Sequence, residues 1–241
     1  MRGKIFVSSV LGIVVGLAVI GGHAAATQRE VTEDFEVEAL PFPYNNPEGR
    51  KDTPGCNAGV EGTHKVSHEV KVPFTGLLTA SFVEFEGDWD IEIANEAGEL
   101  LMYSGNVQEV GTTDGVESTT ALVRKGDTVN VAPCNWQGSP RAIASYTLRT
   151  FRPSRISAEV VADDDLSGAR FFTPRLVTIE SGEAVLWRNV GDHPHKVTDL
   201  KSGSDSGFIG FGEYVRVYRK PGTYRYVCVL HPGMKGRVIV E

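Results

Sequence analysis

Cys228, His231 and Met234 stand three residues apart near the end of this chain, in Tyr224-Arg-Tyr-Val-Cys-Val-Leu-His-Pro-Gly-Met-Lys-Gly236. Pro232 and Gly233 bend the backbone between the last two, so a thiolate, an imidazole and a thioether share one tight loop. That donor set matches a mononuclear copper site, which takes two His, one Cys and a weak axial Met. The loop supplies three of the four, and the second imidazole must come from elsewhere. His195, in Asn189-Val-Gly-Asp-His-Pro-His-Lys-Val-Thr198, is the candidate, with His193 as its neighbour and competitor. After an N-terminal signal is removed only Met102 and Met234 remain, which makes a chance thioether at this spacing uncommon.

The chain ahead of the loop says where such a site would work. Arg2 and Lys4 precede an apolar run over residues 5–20, and Ala24-Ala25-Ala26 offers an A-x-A cleavage site. This is the pattern of a secretory signal peptide over residues 1–26, and 16 apolar residues fall short of the ~20 that span a bilayer. The protein is therefore expected to be secreted, periplasmic or otherwise extracytoplasmic. Exported chains can hold disulfides. With Cys228 reserved for a metal, Cys56 and Cys134 remain to pair.

Charge is divided unevenly. Residues 27–150 carry 9 basic and 20 acidic side chains, a net of −11, whereas residues 151–241 carry 13 and 11, a net of +2. An acidic body with a near-neutral remainder argues against nucleic-acid binding. Residues 27–54 read as an acidic and Pro-rich lead-in without regular structure. From residue 64 onward, short alternating runs are punctuated by turns such as Asn95-Glu-Ala-Gly98 and Lys125-Gly-Asp127. No helical period of useful length appears, so the expected class is all-β, with two β-sandwich domains. The boundaries are 55–150 for the first sandwich, 151–155 for a hinge and 156–241 for the second.

Other polar clusters carry weaker signals. Glu84, Glu86, Asp88, Asp90 and Glu92 fall on one face of a strand and could contribute to a Ca²⁺ site, but a strand alone supplies too few of the 6–8 oxygens required. A solvated strand face is the expectation. His64 and His68 share a face with Val66 and Val70 and read as core histidines. No G-x-S-x-G, H-E-x-x-H, dinucleotide or P-loop pattern is present in the sequence. Val227 and Val229 flank Cys228, where multicopper oxidases and nitrite-reductase-like enzymes would need further ligands, so an enzyme is not expected.

Two resemblances follow from these stretches. Gly87-Asp-Trp-Asp-Ile-Glu-Ile93, the Ala97-Gly98 turn and Ser145-Tyr-Thr-Leu-Arg-Thr150 resemble the jelly-roll pre-peptidase C-terminal domains, which implies an accessory module over residues 55–150. Residues 156–241, through Pro221-Gly-Thr-Tyr-Arg-Tyr-Val-Cys-Val-Leu-His-Pro-Gly-Met234 and Pro194-His195-Lys196-Val197, resemble a cupredoxin of the plastocyanin and amicyanin type. That resemblance implies a Greek-key sandwich and a type 1 blue copper centre on His195, Cys228, His231 and Met234. The family's P-H-x-V pattern favours His195 over His193. It also implies single-electron transfer to a redox partner docking at the His231 loop, with copper carriage or storage as the alternative. Members of the family often have Asn after the first His, tying the ligand loops together. Here Lys196 stands there, and an ammonium cannot accept a hydrogen bond.

Overall fold

The computed structural model describes residues 28–41, 64–104, 117–164 and 169–241; the expected signal segment, most of the expected lead-in and Cys56 lie outside them. Among the described residues there are seventeen strands and no α-helix, so none is long and apolar enough to cross a membrane. A four-stranded sheet runs in the order β1 (Glu30–Glu38), β8 (Arg141–Thr150), β3 (Gly76–Glu84), β6 (Ser118–Val123). A second follows the order β10 (Arg170–Thr173), β9 (Ile156–Asp164), β12 (Ala184–Asn189), β15 (Glu213–Val217).

The third sheet has nine strands and passes through both halves of the chain. Its order is β11 (Leu176–Ile179), β17 (Lys235–Val240), β16 (Gly222–Val227), β13 (His195–Asp199), β14 (Asp205–Ile209), β5 (Leu100–Ser104), β4 (Gly87–Asn95), β7 (Thr128–Gly138), β2 (His68–Lys71). The architecture is all-β, as the alternating runs require. Strands with one apolar face bury it against a facing sheet. Trp89, Ile91 and Ile93 of β4, and Val129 and Val131 of β7, are fully or almost fully buried in this way. Beneath the Cys228 loop, Tyr226 meets Phe172 at 5.1 Å and Trp187 at 5.4 Å between ring centroids, both edge-on. Such aromatic pairs each contribute about 0.5–1.5 kcal/mol beyond area burial.

The seam between the halves lies where β14 pairs with β5, with Phe208 opposite Tyr103 and Ile209 opposite Met102. The Phe208 and Tyr103 rings stack at 4.2 Å with planes 5° apart. Beyond the strand, the amides of Gly210 and Phe211 donate to the carbonyls of Leu101 and Leu100, each at 2.9 Å. Gly207 has φ +70, and a side chain there would also meet Thr119 Oγ1 and the Tyr103 carbonyl at 2.8 Å. Only glycine meets both demands without strain.

Three sequence expectations change. Residues 30–38 form a strand rather than an irregular lead-in: Glu30–Glu38 pairs antiparallel with β8 along its whole length. Phe35 and Val37 are buried while Asp34, Glu36 and Glu38 face out, so the acidic residues occupy the solvent side of a period-2 pattern. The hinge at 151–155 holds a short 3₁₀ turn, Pro153–Arg155. Phe151 before it is buried in a cluster with Leu122, Leu186 and Val215, which joins the halves rather than loosening them.

The third change concerns the carboxylate row. Glu84 and Glu86 are exposed, but Asp88, Asp90 and Glu92 are buried instead of forming a solvated face. Burial is made tolerable by partners: Lys65 Nζ lies 2.7 Å from Glu92 Oε2, and Trp136 Nε1 donates to Asp90. Ser104 Oγ donates to Glu117, which is buried near the same row. Burial, and then the nearby Glu117 charge, pushes the Asp90 carboxyl well above the usual range. His68, as expected of a core histidine, stacks on Phe35 at 4.2 Å.

Candidate metal centre

The loop after β16 is closed by its own backbone. Cys228 N–H donates to the Met234 carbonyl at 2.9 Å, His231 N–H to Cys228 O at 3.2 Å, and Met234 N–H to His231 O at 3.1 Å. Two successive turns therefore carry the chain from Cys228 to β17, and Gly233 at φ +88 supplies the left-handed residue the second one needs. This geometry points Cys228 and Met234 inward, at 3% and 1% exposure, and leaves His231 partly open.

β13 brings His195 to the same place. It pairs with β16 through Thr198 opposite Val227, so the start of β13 lies beside the end of β16. His195 is completely buried. Its Nδ1 lies 3.1 Å from His231 Nδ1, which is 3.4 Å from Cys228 Sγ. Among the described residues, His195, Cys228 and His231 are the one group of three His, Cys, Asp or Glu side chains whose ligating atoms converge, all within 4.8 Å. Those separations suit a single ion about 2.0–2.3 Å from each donor. Cys228 is a free thiol. No comparable group gathers around Asp88, Asp90 and Glu92 among the described residues.

Electrostatics favour neutral imidazoles. Burial depresses His195 to about 4, with the Asp164 carboxylate opposing the shift only in part. Burial, then the Arg170 charge, lowers His231 as well. A neutral ring keeps a lone pair for a metal. At Cys228, the Lys196 amide donates to Sγ at 3.3 Å.

His193 lies outside this convergence. It is 54% exposed, and its Nδ1 is 3.0 Å from Asp164 Oδ2. Its ring centroid is 6.4 Å from that of His231. Lys196 turns away from the loop: its Nζ lies 3.3 Å from Asp205 and 4.5 Å over the Phe208 ring. Asp164 was not legible in advance. Its Oδ1 is 3.1 Å from Arg170 Nε and 3.7 Å from His195 Nε2, so it holds the Arg170 cation beside the buried imidazole. In the sequence it is the second of three consecutive aspartates in a polar run, with nothing to single it out.

Known proteins match part of this chain. The chain is 40% identical over 79 residues to amicyanin-alpha of Methylorubrum extorquens, an alignment covering 30% of this chain and 65% of that protein. It is 37% identical over 95 residues to the amicyanin of Paracoccus versutus, covering 35% and 70%. With the plastocyanin of Scenedesmus fuscus it shares 33% over 89 residues, covering 31% and 91%. A solved purple cupredoxin from Nitrosopumilus maritimus aligns with 35% of this chain and 100% of its own, at 26% identity and a TM-score of 0.32. No family model matches the chain. With two relatives above 30% identity matched over more than two thirds of their own length, the chain belongs to the cupredoxins of the amicyanin and plastocyanin type.

Proposed function

We propose that the protein is an exported single-electron carrier in which His195, Cys228, His231 and Met234 would hold one type 1 copper ion. The observation that carries this reading is the convergence of one thiol and two imidazole nitrogens in a buried pocket. The ion would supply one-electron chemistry between Cu(I) and Cu(II). The protein's residues do the rest. The Lys196 amide steadies the sulfur, the β13–β16 pairing fixes His195 against the loop, and the two loop turns fix His231 and Met234. Held from several sides, the donors have little freedom to rearrange between oxidation states.

Burial of His195, Cys228 and Met234 favours retention of the metal over ready exchange. That supports an electron carrier in preference to a copper carrier or store. It also supports a non-enzymatic role, since three of the four donors are closed to a substrate. His231 is the exposed edge, with Val229 and Leu230 beside it at 58% and 39% exposure, and serves as the electron port. The test is to add Cu(II) to the mature chain and record its visible spectrum. An intense thiolate-to-copper band, absent in Cys228→Ser, is expected. A colourless copper-loaded wild type would overturn the assignment.

A further inference from the structure

The second sheet ends against the metal centre and brings a carboxylate to it. Asp164 is the last residue of β9, and Arg170 at the start of β10 lies opposite it. β12 runs beside β9 with Asn189 opposite Ala162, so the chain from Val190 to Pro194 passes Asp164 on its way to His195. That segment is shaped around the carboxylate. Asn189 Nδ2 donates to the His193 carbonyl at 2.7 Å, and its Oδ1 accepts from the Gly191 amide at 2.9 Å. A side chain at Gly191 would strike Asp164 Oδ2.

The two carboxylate oxygens have different work. Oδ2 accepts from the His193 amide at 3.1 Å and lies 3.0 Å from His193 Nδ1. Oδ1 faces Arg170 Nε at 3.1 Å and His195 Nε2 at 3.7 Å. Oδ1 and Nε2 are both buried, and neither has a hydrogen-bond partner among the described residues. A shift of about 0.5–1 Å would join them. The other nitrogen of that ring, Nδ1, is turned to the donor group, 3.1 Å from His231 Nδ1.

We infer that Asp164 is a positioning residue for His195: it accepts from Nε2–H and so keeps the Nδ1 lone pair turned to the metal. This rests on the reading of His195 as a ligand and says what selects its tautomer. In a neutral imidazole, the hydrogen bond made by one nitrogen decides which of the two carries the proton. An ionised carboxylate only accepts, so it admits the Nε2–H form and excludes the other. Carboxylates behind metal-bound imidazoles also raise ligand basicity, and losing one typically costs about 10–100-fold in metal affinity.

Asp164→Asn reverses the polarity with little change of shape. Its carbonyl is claimed by the His193 amide, which leaves the side-chain amide nitrogen facing Nε2 and drives the proton to Nδ1, where it blocks the metal. Asp164→Ala leaves space for a water, which can accept or donate. The tautomer of His195 is read by imidazole nitrogen NMR on the metal-free proteins at about pH 8, where the ring is neutral. Zn(II) affinity is measured by competition with a chromogenic chelator. Wild type is expected to carry Nε2–H and Asp164→Asn mostly Nδ1–H. Zn(II) binding should weaken about 10–100-fold in Asp164→Asn, with Asp164→Ala in between. A merely structural role predicts the reverse order, because alanine removes more packing. The inference is overturned if wild type carries Nδ1–H, if Asp164→Asn keeps the wild-type tautomer and affinity, or if Asp164→Ala is the weaker binder. Wild type that shows Nε2–H but takes up no Zn(II) would instead refute the metal-site reading beneath it.

Discussion

The continuity of the long sheet makes a quantitative prediction at Gly210. An alanine Cβ there would lie 2.5 Å from the Leu100 carbonyl oxygen, a backbone atom that cannot swing aside. Restoring ordinary contact requires β14 and β5 to part by about 1 Å. That shift would stretch the bonds from Gly210 and Phe211, now 2.9 Å, and from Gly212 to Leu101, now 3.1 Å, beyond useful hydrogen-bond length. At about 0.5–1.5 kcal/mol each, three weakened bonds amount to roughly 2–4 kcal/mol. The lower entropy of the unfolded alanine chain returns about 0.5–1 kcal/mol. For a chain of this size the remainder corresponds to a fall in Tm of about 5–10 °C. Gly98→Ala is the control, because nothing lies within 4 Å of its Cβ and its only penalty is φ +82. That penalty is about 1–2 kcal/mol. Metal-free proteins are melted under identical conditions and followed by near-UV circular dichroism. If Gly210→Ala melts within about 2 °C of wild type, the strands are not packed as described and the seam is wrong.

Two further predictions concern buried titratable groups. His195 titrates at about 4 when folded against an ordinary 6.5, so between those values the unfolded chain binds the extra proton. Its contribution to the stability of the metal-free protein is full above about pH 6.5 and is lost toward pH 4, by at most about 3 kcal/mol. Urea unfolding of His195→Gln should show a shallower pH dependence than wild type, and coincident slopes would refute this. Asp90 behaves in the opposite sense, since burial and then Glu117 raise its carboxyl and the folded state keeps a proton that the unfolded chain releases. Stability therefore declines as pH rises above the ordinary carboxylate range. Asp90→Asn, whose amide oxygen can still accept from Trp136, should gain in Tm relative to wild type between pH 5 and pH 8. A constant difference across that range would exclude a titrating carboxyl.

Local chemistry was legible, and long-range placement was not. Cys228, His231 and Met234 declare themselves because three donors at fixed spacing need only one loop, whose turns close within seven residues. His195 was favoured over His193 through a four-residue pattern of the family it resembles; in the fold His195 is buried beside Cys228 and His231, whereas His193 is 54% exposed. Alternation likewise announced the all-β class, although the acid-rich run at 30–38 hid a strand because its charges are all that a composition reading sees. Glycines at 207, 210 and 212 were the missed signal for the seam, since repeated glycine in a strand marks close approach of another backbone.

What the sequence by itself offered is a candidate metal-donor set and the strand periodicity, both of which depend on spacing along the chain. Which face of a strand meets water is a different kind of fact. Asp88, Asp90 and Glu92 alternate as any solvated row would, yet lie buried because distant residues such as Lys65 and Trp136 supply their partners. The same holds for the joining of the acidic half to the metal-binding half. β14 and β5 are separated by about a hundred residues, and only the folded sheet brings their hydrogen-bonding edges together.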